Sequence, residues 1–281
     1  MESPPDDRSA ARHELVLAGV VLVGIARLVD PPGGWLVAGL ALAAMLLAGI
    51  AVMGDEAHGV PVESLLVPAV LVAGACAAIG LVPLGLGLVP AILLMAFTLD
   101  RVLRLELRLV HQPAGVSPGD RSRVLLAVVA AGFVAFTGVA TLVPGGLAEP
   151  IVGALSGGQD AGGSGAGGLP ERWLVGLAAA DGLVALLLGY RASAFRYGTV
   201  RQAAWSAVTY GVVVAIAAGA ARAIDLPRLV GPAVLALVFY LWDAVHGSAP
   251  ARRREARFIW ELGLLVVLAG VVVAWNLQLR G

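Results

Sequence analysis

The sequence contains no lysine and a single cysteine, Cys76, in 281 residues. One cysteine excludes an intrachain disulfide, a CxxC redox motif and a cysteine-based metal site. All 19 basic residues are therefore arginines, and they balance 19 acidic residues to a net charge of zero. A neutral chain offers no broad basic surface, so no nucleic acid is predicted as a partner.

Charge of either sign is scarce. Only 14% of the residues are charged and 59% are hydrophobic, whereas a typical soluble domain has about 25% charged residues. This balance predicts an integral membrane protein whose main partner is the lipid bilayer. The abundance of Arg, Ala, Gly, Pro and Val is typical of a GC-rich bacterial genome. We therefore expect a multi-pass protein of the bacterial cytoplasmic (inner) membrane.

The long apolar runs predict an all-α polytopic transmembrane bundle. A helix crosses a bilayer with about 20 mainly apolar residues, within a range of about 17 to 25. The continuous apolar block 64–99 is too long for one crossing, so we divide it at 83–87; a broken or re-entrant pair is the alternative. Nine spans result: 14–30, 35–53, 64–82, 86–104, 123–143, 173–190, 201–222, 229–246 and 258–277.

The arginines indicate the orientation of these spans. Cytoplasmic segments carry an excess of Lys and Arg, and most of the arginines fall on one side if the N-terminus is cytoplasmic and the C-terminus is outside. Tryptophans favour the membrane–water interface. The six tryptophans fall near predicted span ends: Trp35, Trp173 and Trp275 outside, and Trp205, Trp242 and Trp260 inside.

A glycine-rich external linker, 144–171, divides the chain. Residues 1–13 are predicted to be a flexible cytoplasmic N-terminus, 14–143 a first membrane half, and 172–281 a second. The segment PAILLMAFTLD (90–100) resembles PAVLALVFYLWD (232–243). The second half is therefore a candidate four-span repeat of 35–143; similar apolar composition alone is the other explanation.

The apolar stretch 173–190 carries one carboxylate, Asp181, near its centre. A charged residue at mid-membrane costs about 2.5 to 3.5 kcal/mol on insertion scales. We therefore expect Asp181 to face the bundle interior, where it is paired, hydrated or protonated. Its neighbours are mostly glycine and alanine, which let another helix approach closely.

The next span supplies candidate partners for this carboxylate. Ser206, Thr209 and Tyr210 share one helical face, and counting from the inner surface puts Thr209 and Tyr210 at about the depth of Asp181. We predict a hydrogen bond from Thr209 or Tyr210 to Asp181. The resulting intramembrane polar site of Asp181, Ser206, Thr209 and Tyr210 would either hold spans 6 and 7 together or bind a proton, ion or substrate.

Two groups of charged residues are predicted at the cytoplasmic face. Arg101, Arg104 and Arg108 share one face if span 4 continues as a helix through DRVLRLELRLV, and would bind anionic lipid headgroups; the alternation in RLELRLV also suits a strand. The second group is a possible cluster of Asp243, His246, Arg257 and Glu261, for which ordinary helix-end electrostatics is the simpler interpretation.

No catalytic motif points to an activity. Asp181 and Gly182 begin like the Asp-Gly-x-x-Ala-Arg motif of CDP-alcohol phosphotransferases, but Leu186 occupies the arginine position, which excludes that family. Asp55, Glu56, His58 and Glu63 match no specific metal motif, and no metal or cofactor is predicted. Two functions remain: a non-enzymatic, transporter-like or accessory membrane component, which we favour, or a membrane enzyme acting on a lipid-linked phosphate at the cytoplasmic face.

Overall fold

A computed structural model describes residues 5–29, 33–53, 62–83, 87–110, 117–141, 171–197, 199–224, 229–248 and 255–278. Within these residues the chain is all-α, with nine α-helices. They are α1 (Pro5–Ala26), α2 (Gly34–Met53), α3 (Glu63–Ala78), α4 (Leu88–Val110), α5 (Pro118–Thr141), α6 (Glu171–Ala194), α7 (Val200–Ala223), α8 (Val230–Gly247) and α9 (Ala256–Gln278).

Each predicted span corresponds to one of these helices. In the described part of the chain, seven of them are long and apolar enough to cross a membrane, namely α2, α3 and α5 to α9; α1 and α4 are outside this group. In α4 the C-terminal half carries Asp100, Arg101 and Arg104, which interrupt the apolar run. The prediction of two helices within 64–99 is confirmed, because α3 is followed by a short 3-10 turn at Ile79–Leu81 and α4 starts at Leu88.

The ends of α1 and α4 test two predictions made from the sequence. Helix α1 starts at Pro5, so most of the N-terminal segment predicted to be flexible is helical. Proline suits the first helical position because its φ is already helical and its missing N–H is not needed there. Helix α4 runs to Val110, which confirms the helical extension of span 4 over the strand alternative. The linker 144–170 and the loop with Asp55, Glu56 and His58 lie outside the described residues.

Helix α3 is the centre of the bundle. It packs against α1, α2, α4, α5 and α6, and most of its side chains are buried, although Pro68 lies inside it. Proline is tolerated in such a helix because neighbouring helices satisfy the freed backbone groups. At the other extreme, α9 packs on α8 and exposes apolar side chains on most of its surface. Apolar exposure on this scale is expected where lipid is the solvent.

The two halves pack their equivalent helices differently. In the predicted repeat, α5 would correspond to α9 and α3 to α7. Helix α5 packs extensively on α3, whereas in the described residues the contacts of α9 are mainly with α8. The duplication stays a prediction, which superposition of the backbones of 35–143 and 173–277 would test.

The closest helix approach in the centre depends on glycine. A Cβ added to Gly74 of α3 would lie 2.5 Å from the Ala135 Cα of α5, and one added to Gly138 would lie 2.6 Å from the Gly74 carbonyl oxygen. Both contacts are with backbone, which cannot rotate away. Glycine at these positions therefore fixes the spacing of α3 and α5.

We expect Gly74→Val to lower the thermal unfolding midpoint strongly, because overpacking typically costs about 1–3 kcal/mol and a backbone contact cannot yield. Gly24→Val is the matched control, since a Cβ at Gly24 meets nothing within 4 Å. Tryptophan fluorescence of the detergent-purified variants during heating measures the difference. Equal midpoints for the two variants would contradict the close α3–α5 approach.

Candidate functional site: buried charges around helices 6 and 7

Helices α6 and α7 form the most extensive helix pair in the described chain, and glycines allow it. A Cβ on Gly182 would lie 3.0 Å from the carbonyl oxygen of Gly211, and a Cβ on Gly189 would lie 2.7 Å from the Tyr210 ring. These contacts set the register of the antiparallel pair. Gly182 lies opposite the helical turn from Gly211 to Ala215, since its added Cβ would also lie 3.0 Å from the Ala215 Cβ. Gly189, about two turns further along α6, packs on Tyr210.

Asp181 is fully buried near the middle of α6, as the sequence predicts. Its Oδ2 accepts a hydrogen bond from Arg222 Nη2 of α7 at 2.5 Å, and the two residues form an ion pair. Its Oδ1 has no hydrogen-bond partner among the described residues. Arg222 also donates to the carbonyl oxygen of Ala218, and its side chain is 17% exposed. The pair therefore connects the bundle interior to the end of α7.

The predicted hydrogen bond from Thr209 or Tyr210 to Asp181 is wrong. The register places Tyr210 opposite Gly189 rather than opposite Asp181, so counting residues from the helix ends misjudged the relative depth. Arginine is long enough to reach back along its own helix to a carboxylate that its backbone position does not approach. The sequence contained Arg222 at a span end, where an arginine normally extends to the interface.

Tyr210 instead belongs to a buried group at the other end of the α6–α7 pair. Its hydroxyl donates to Asp243 Oδ1 of α8 at 2.8 Å and accepts from Arg196 Nη1 at 2.8 Å. Arg196 and Asp243 also form an ion pair. Arg196 lies in the turn after α6, so one side chain connects α6, α7 and α8. Charge-assisted hydrogen bonds of this kind are stronger than neutral ones.

The charge on Arg196 is maintained despite its burial. Burial acts to lower the pKa of Arg196, but the charge of Asp243, the interaction with Tyr210 and the hydrogen bonds that Arg196 donates to both residues raise it by more. The pKa of Arg196 therefore lies above the ordinary value for arginine. Arg196 is therefore a permanent cation.

Ser206 and Thr209 lie in this inner part of α7 as well. Ser193 Oγ donates to Ser206 Oγ at 2.9 Å, and Thr209 Oγ1 donates to the Ser206 carbonyl oxygen at 2.7 Å. Thr209 also accepts a hydrogen bond from Trp242 Nε1 at 3.1 Å and is exposed. The four residues of the predicted polar site are therefore divided between two depths.

A third buried ion pair joins α4 to α6 and was not predicted. Arg191 donates to both carboxylate oxygens of Glu106, from Nε to Oε1 at 3.1 Å and from Nη2 to Oε2. Both side chains are almost completely buried, and Arg191 also lies over the Phe195 ring at 4.1 Å. Glu106 lies in the segment DRVLRLELRLV, for which only the arginines were predicted to have a role. Only its position among apolar residues at helical spacing could have signalled burial.

The three arginines proposed to bind headgroups have different environments. Arg104 pairs with Asp100 at 2.7 Å, and Asp100 also pairs with Arg12 of α1 at 3.0 Å. Arg101 stacks over Phe97 at 4.9 Å and is exposed, as is Arg108. Arg101 and Arg108 therefore remain accessible to a ligand, whereas Arg104 is partly neutralised.

The structure does not assemble the second predicted cluster. Asp243 pairs with Arg196, while Arg257 pairs with Glu261 within α9 at 2.9 Å, in an exposed position. His246 stacks on Trp242 with the ring centroids 3.8 Å apart. Asp243 thus belongs to the buried group with Arg196 and Tyr210, and the Arg257–Glu261 pair lies within α9. Helix-end electrostatics stays a prediction for this set.

Neither arrangement that would separate the two functional hypotheses is formed by the described residues. A polar cavity around Asp181 would favour a transporter, but Asp181 is enclosed. A pocket joining Arg101 or Arg104 to Asp243 and His246 would favour an enzyme, but Asp243 pairs elsewhere. Among the described residues no group of three or more His, Cys, Asp or Glu side chains could hold a metal ion.

Comparison with known proteins gives no match: no family model, no curated protein and no solved structure is similar to this chain. Arguments about its function therefore depend on the residues and their geometry.

Proposed function

We propose that this chain is an integral protein of the bacterial inner membrane with nine spans, a cytoplasmic N-terminus and an external C-terminus. Seven helices satisfy the length and composition that spanning requires. Helices α1 and α4 pack against each other and complete the set, with Leu15 and Leu99 buried in the core. Their charged ends then lie at the inner surface.

The ion pairs between helices support this arrangement. Nine alternating spans put the N-terminal end of α1, the C-terminal ends of α4, α6 and α8, and the turn after α6 on the inner side. The observed pairs Arg12–Asp100, Arg191–Glu106 and Arg196–Asp243 each join two of these ends. An orientation that separated any of them across the bilayer would break a close contact. The excess of arginine on this side favours the cytoplasm.

Labelling of single cysteines in sealed cells tests the orientation. In a Cys76→Ala background, we expect Leu28→Cys to react with an impermeant maleimide from outside, because Leu28 follows α1 at its outer end and is 85% exposed. Tyr197→Cys, in the turn between α6 and α7, should react only after the cells are permeabilised. Reaction of Tyr197→Cys in intact cells would contradict the proposed topology.

We further propose a non-enzymatic, transporter-like role in which Asp181 carries a proton or small cation. The observation that supports this role is a fully buried carboxylate with one oxygen paired to Arg222 and the other unpartnered among the described residues. Ionisable residues within spans are costly and are functional candidates by default. A purely structural contact would be expected to satisfy both oxygens.

Proton flux into liposomes tests this role. The purified protein is reconstituted into vesicles containing a pH-sensitive dye, and a potassium gradient with valinomycin supplies the driving potential. We expect faster acidification than in empty vesicles, and its loss in Asp181→Asn. An accessory role without transport is indicated if wild type and empty vesicles behave alike, or if Asp181→Asn retains the flux.

We also propose that anionic lipid headgroups bind the exposed Arg101 and Arg108 on α4. Both project from a helix that continues beyond its predicted span, where headgroups lie. The enzyme hypothesis gains no specific support, since the described residues form no pocket at this surface that combines these arginines with a catalytic group.

A further inference from the structure

Helices α2 and α6 are separated by a cleft in the outer half of the bundle. Both pack on α3, and in the described residues they form no substantial interface with each other. The gap between them has a volume of about 170 Å³, with α3 and α5 forming its floor. It extends along α2 from Trp35 to Leu42, and Gly74, Ala180 and Leu183 contribute to its walls and floor.

The cleft is apolar throughout, because every residue that lines it is Trp, Ala, Gly, Leu or Val. Apolar cavities of about 150 Å³ stay dry and bind hydrocarbon molecules. The stretch from Trp35 to Leu42 is about 10 Å long at 1.5 Å per residue. That length fits within one leaflet, since the whole hydrocarbon core is about 30 Å thick.

We propose that this cleft is a binding site for one hydrocarbon chain of an outer-leaflet lipid. The inference depends on the proposed membrane embedding and topology. A transmembrane helix is about 10–12 Å across with its side chains, so a 10 Å length of helix occupies about 800 Å³ or more. The cleft, at about 170 Å³, cannot enclose a helix of a partner or a second copy. A single acyl chain, which is thin and unbranched, suits this volume. Trp35, at the first turn of α2, places the cleft's outer end at headgroup level.

The small residues explain how the fold makes such a site. Gly39 on α2 has no neighbour within 4 Å of an added Cβ, so the space in front of it is open. A larger residue there would enter the cleft without forcing any helix to move. Gly39→Leu is therefore a variant that fills the site and is expected to preserve the fold.

Photocrosslinking tests the proposal. The protein is reconstituted into phosphatidylcholine vesicles in which the acyl chains carry a diazirine, and labelled peptides are identified by mass spectrometry. We expect the cleft segments of α2 and α6 to be labelled several-fold more than the exposed face of α9 that includes Leu264 and Val267. Gly39→Leu should remove this excess. Gly176→Leu, also facing open space but outside the cleft, should retain it.

The outcomes separate this proposal from the embedding on which it depends. Equal labelling of the cleft and α9, or labelling unaffected by Gly39→Leu, would overturn the lipid site while leaving the membrane assignment intact. Absence of labelling on α9 would overturn the embedding itself. Dimers in native mass spectra that Gly39→Leu abolishes would show a second copy at the cleft and also overturn the lipid site.

Discussion

Replacing Glu106 with glutamine should destabilise the bundle more than any other single change of charge among the ion pairs that join α1, α4, α6 and α8. The substitution leaves Arg191 buried without a counter-charge, since its guanidinium donates to both Glu106 oxygens. Removing one partner of a buried ion pair typically costs about 3–5 kcal/mol. Thermal unfolding followed by size-exclusion chromatography of the heated sample would measure the loss.

Glu261→Gln is the matched control for this variant. Glu261 also pairs with an arginine, Arg257, but both side chains are largely exposed, and an exposed pair contributes at most about 1 kcal/mol. A second test exchanges the charges in Glu106→Arg/Arg191→Glu, which should recover part of the stability. If Glu106→Gln and Glu261→Gln unfold at the same temperature, the buried α4–α6 pair does not stabilise the fold.

The Asp181–Arg222 pair should respond asymmetrically to loss of its two members. Arg222→Gln leaves a carboxylate with no exposed surface and no cation, so we expect a loss of about 3 kcal/mol or more. Asp181→Asn leaves Arg222, which is 17% exposed and can redirect its side chain to the outer surface. The expected cost of Asp181→Asn is therefore much smaller, which also makes it the suitable variant for the proton-flux assay.

A double-mutant cycle would isolate the interaction. Asp181→Asn/Arg222→Gln should be more stable than Arg222→Gln alone, because the second substitution removes the unpaired charge. Unfolding midpoints of the four proteins give the coupling. A double variant whose loss equals the sum of the two single losses would show that the residues act independently. Equal losses for the two single variants would contradict the expected asymmetry.

Counting residues from the helix ends estimated poorly the relative depth of Asp181 and the polar residues of α7 in the bundle. Asp181 is buried as its position in an apolar stretch required, but its partner depended on the register of α6 against α7. That register is set by contacts of Gly182 with Gly211 and of Gly189 with Tyr210. A sequence of many alanines and glycines allows several registers of nearly equal burial, so pattern alone could not select this one.

The length of the arginine side chain also prevented the ion pairs from being predicted from the sequence. Arg191 and Arg196 lie where the positive-inside rule expects arginines, and that rule accounts for their position without any partner. In the structure both side chains turn inward to Glu106 and Asp243, which come from helices remote in sequence. Which arginines stay at the surface, as Arg101 and Arg108 do, depends on which helix end approaches them.

The sequence by itself determined the all-α class and the approximate positions of the nine helices, because these depend on local composition and run length. It predicted nine spans, of which seven helices meet the length and composition for crossing a membrane. The tertiary structure decided which charges meet, that α3 is central while α9 is peripheral, and that a cleft separates α2 from α6. Those features arise from the register and spacing of helices distant in the chain. They depend on a few glycines, which lack a side chain and so let neighbouring helices approach closely. This effect exists only when the helices pack against each other.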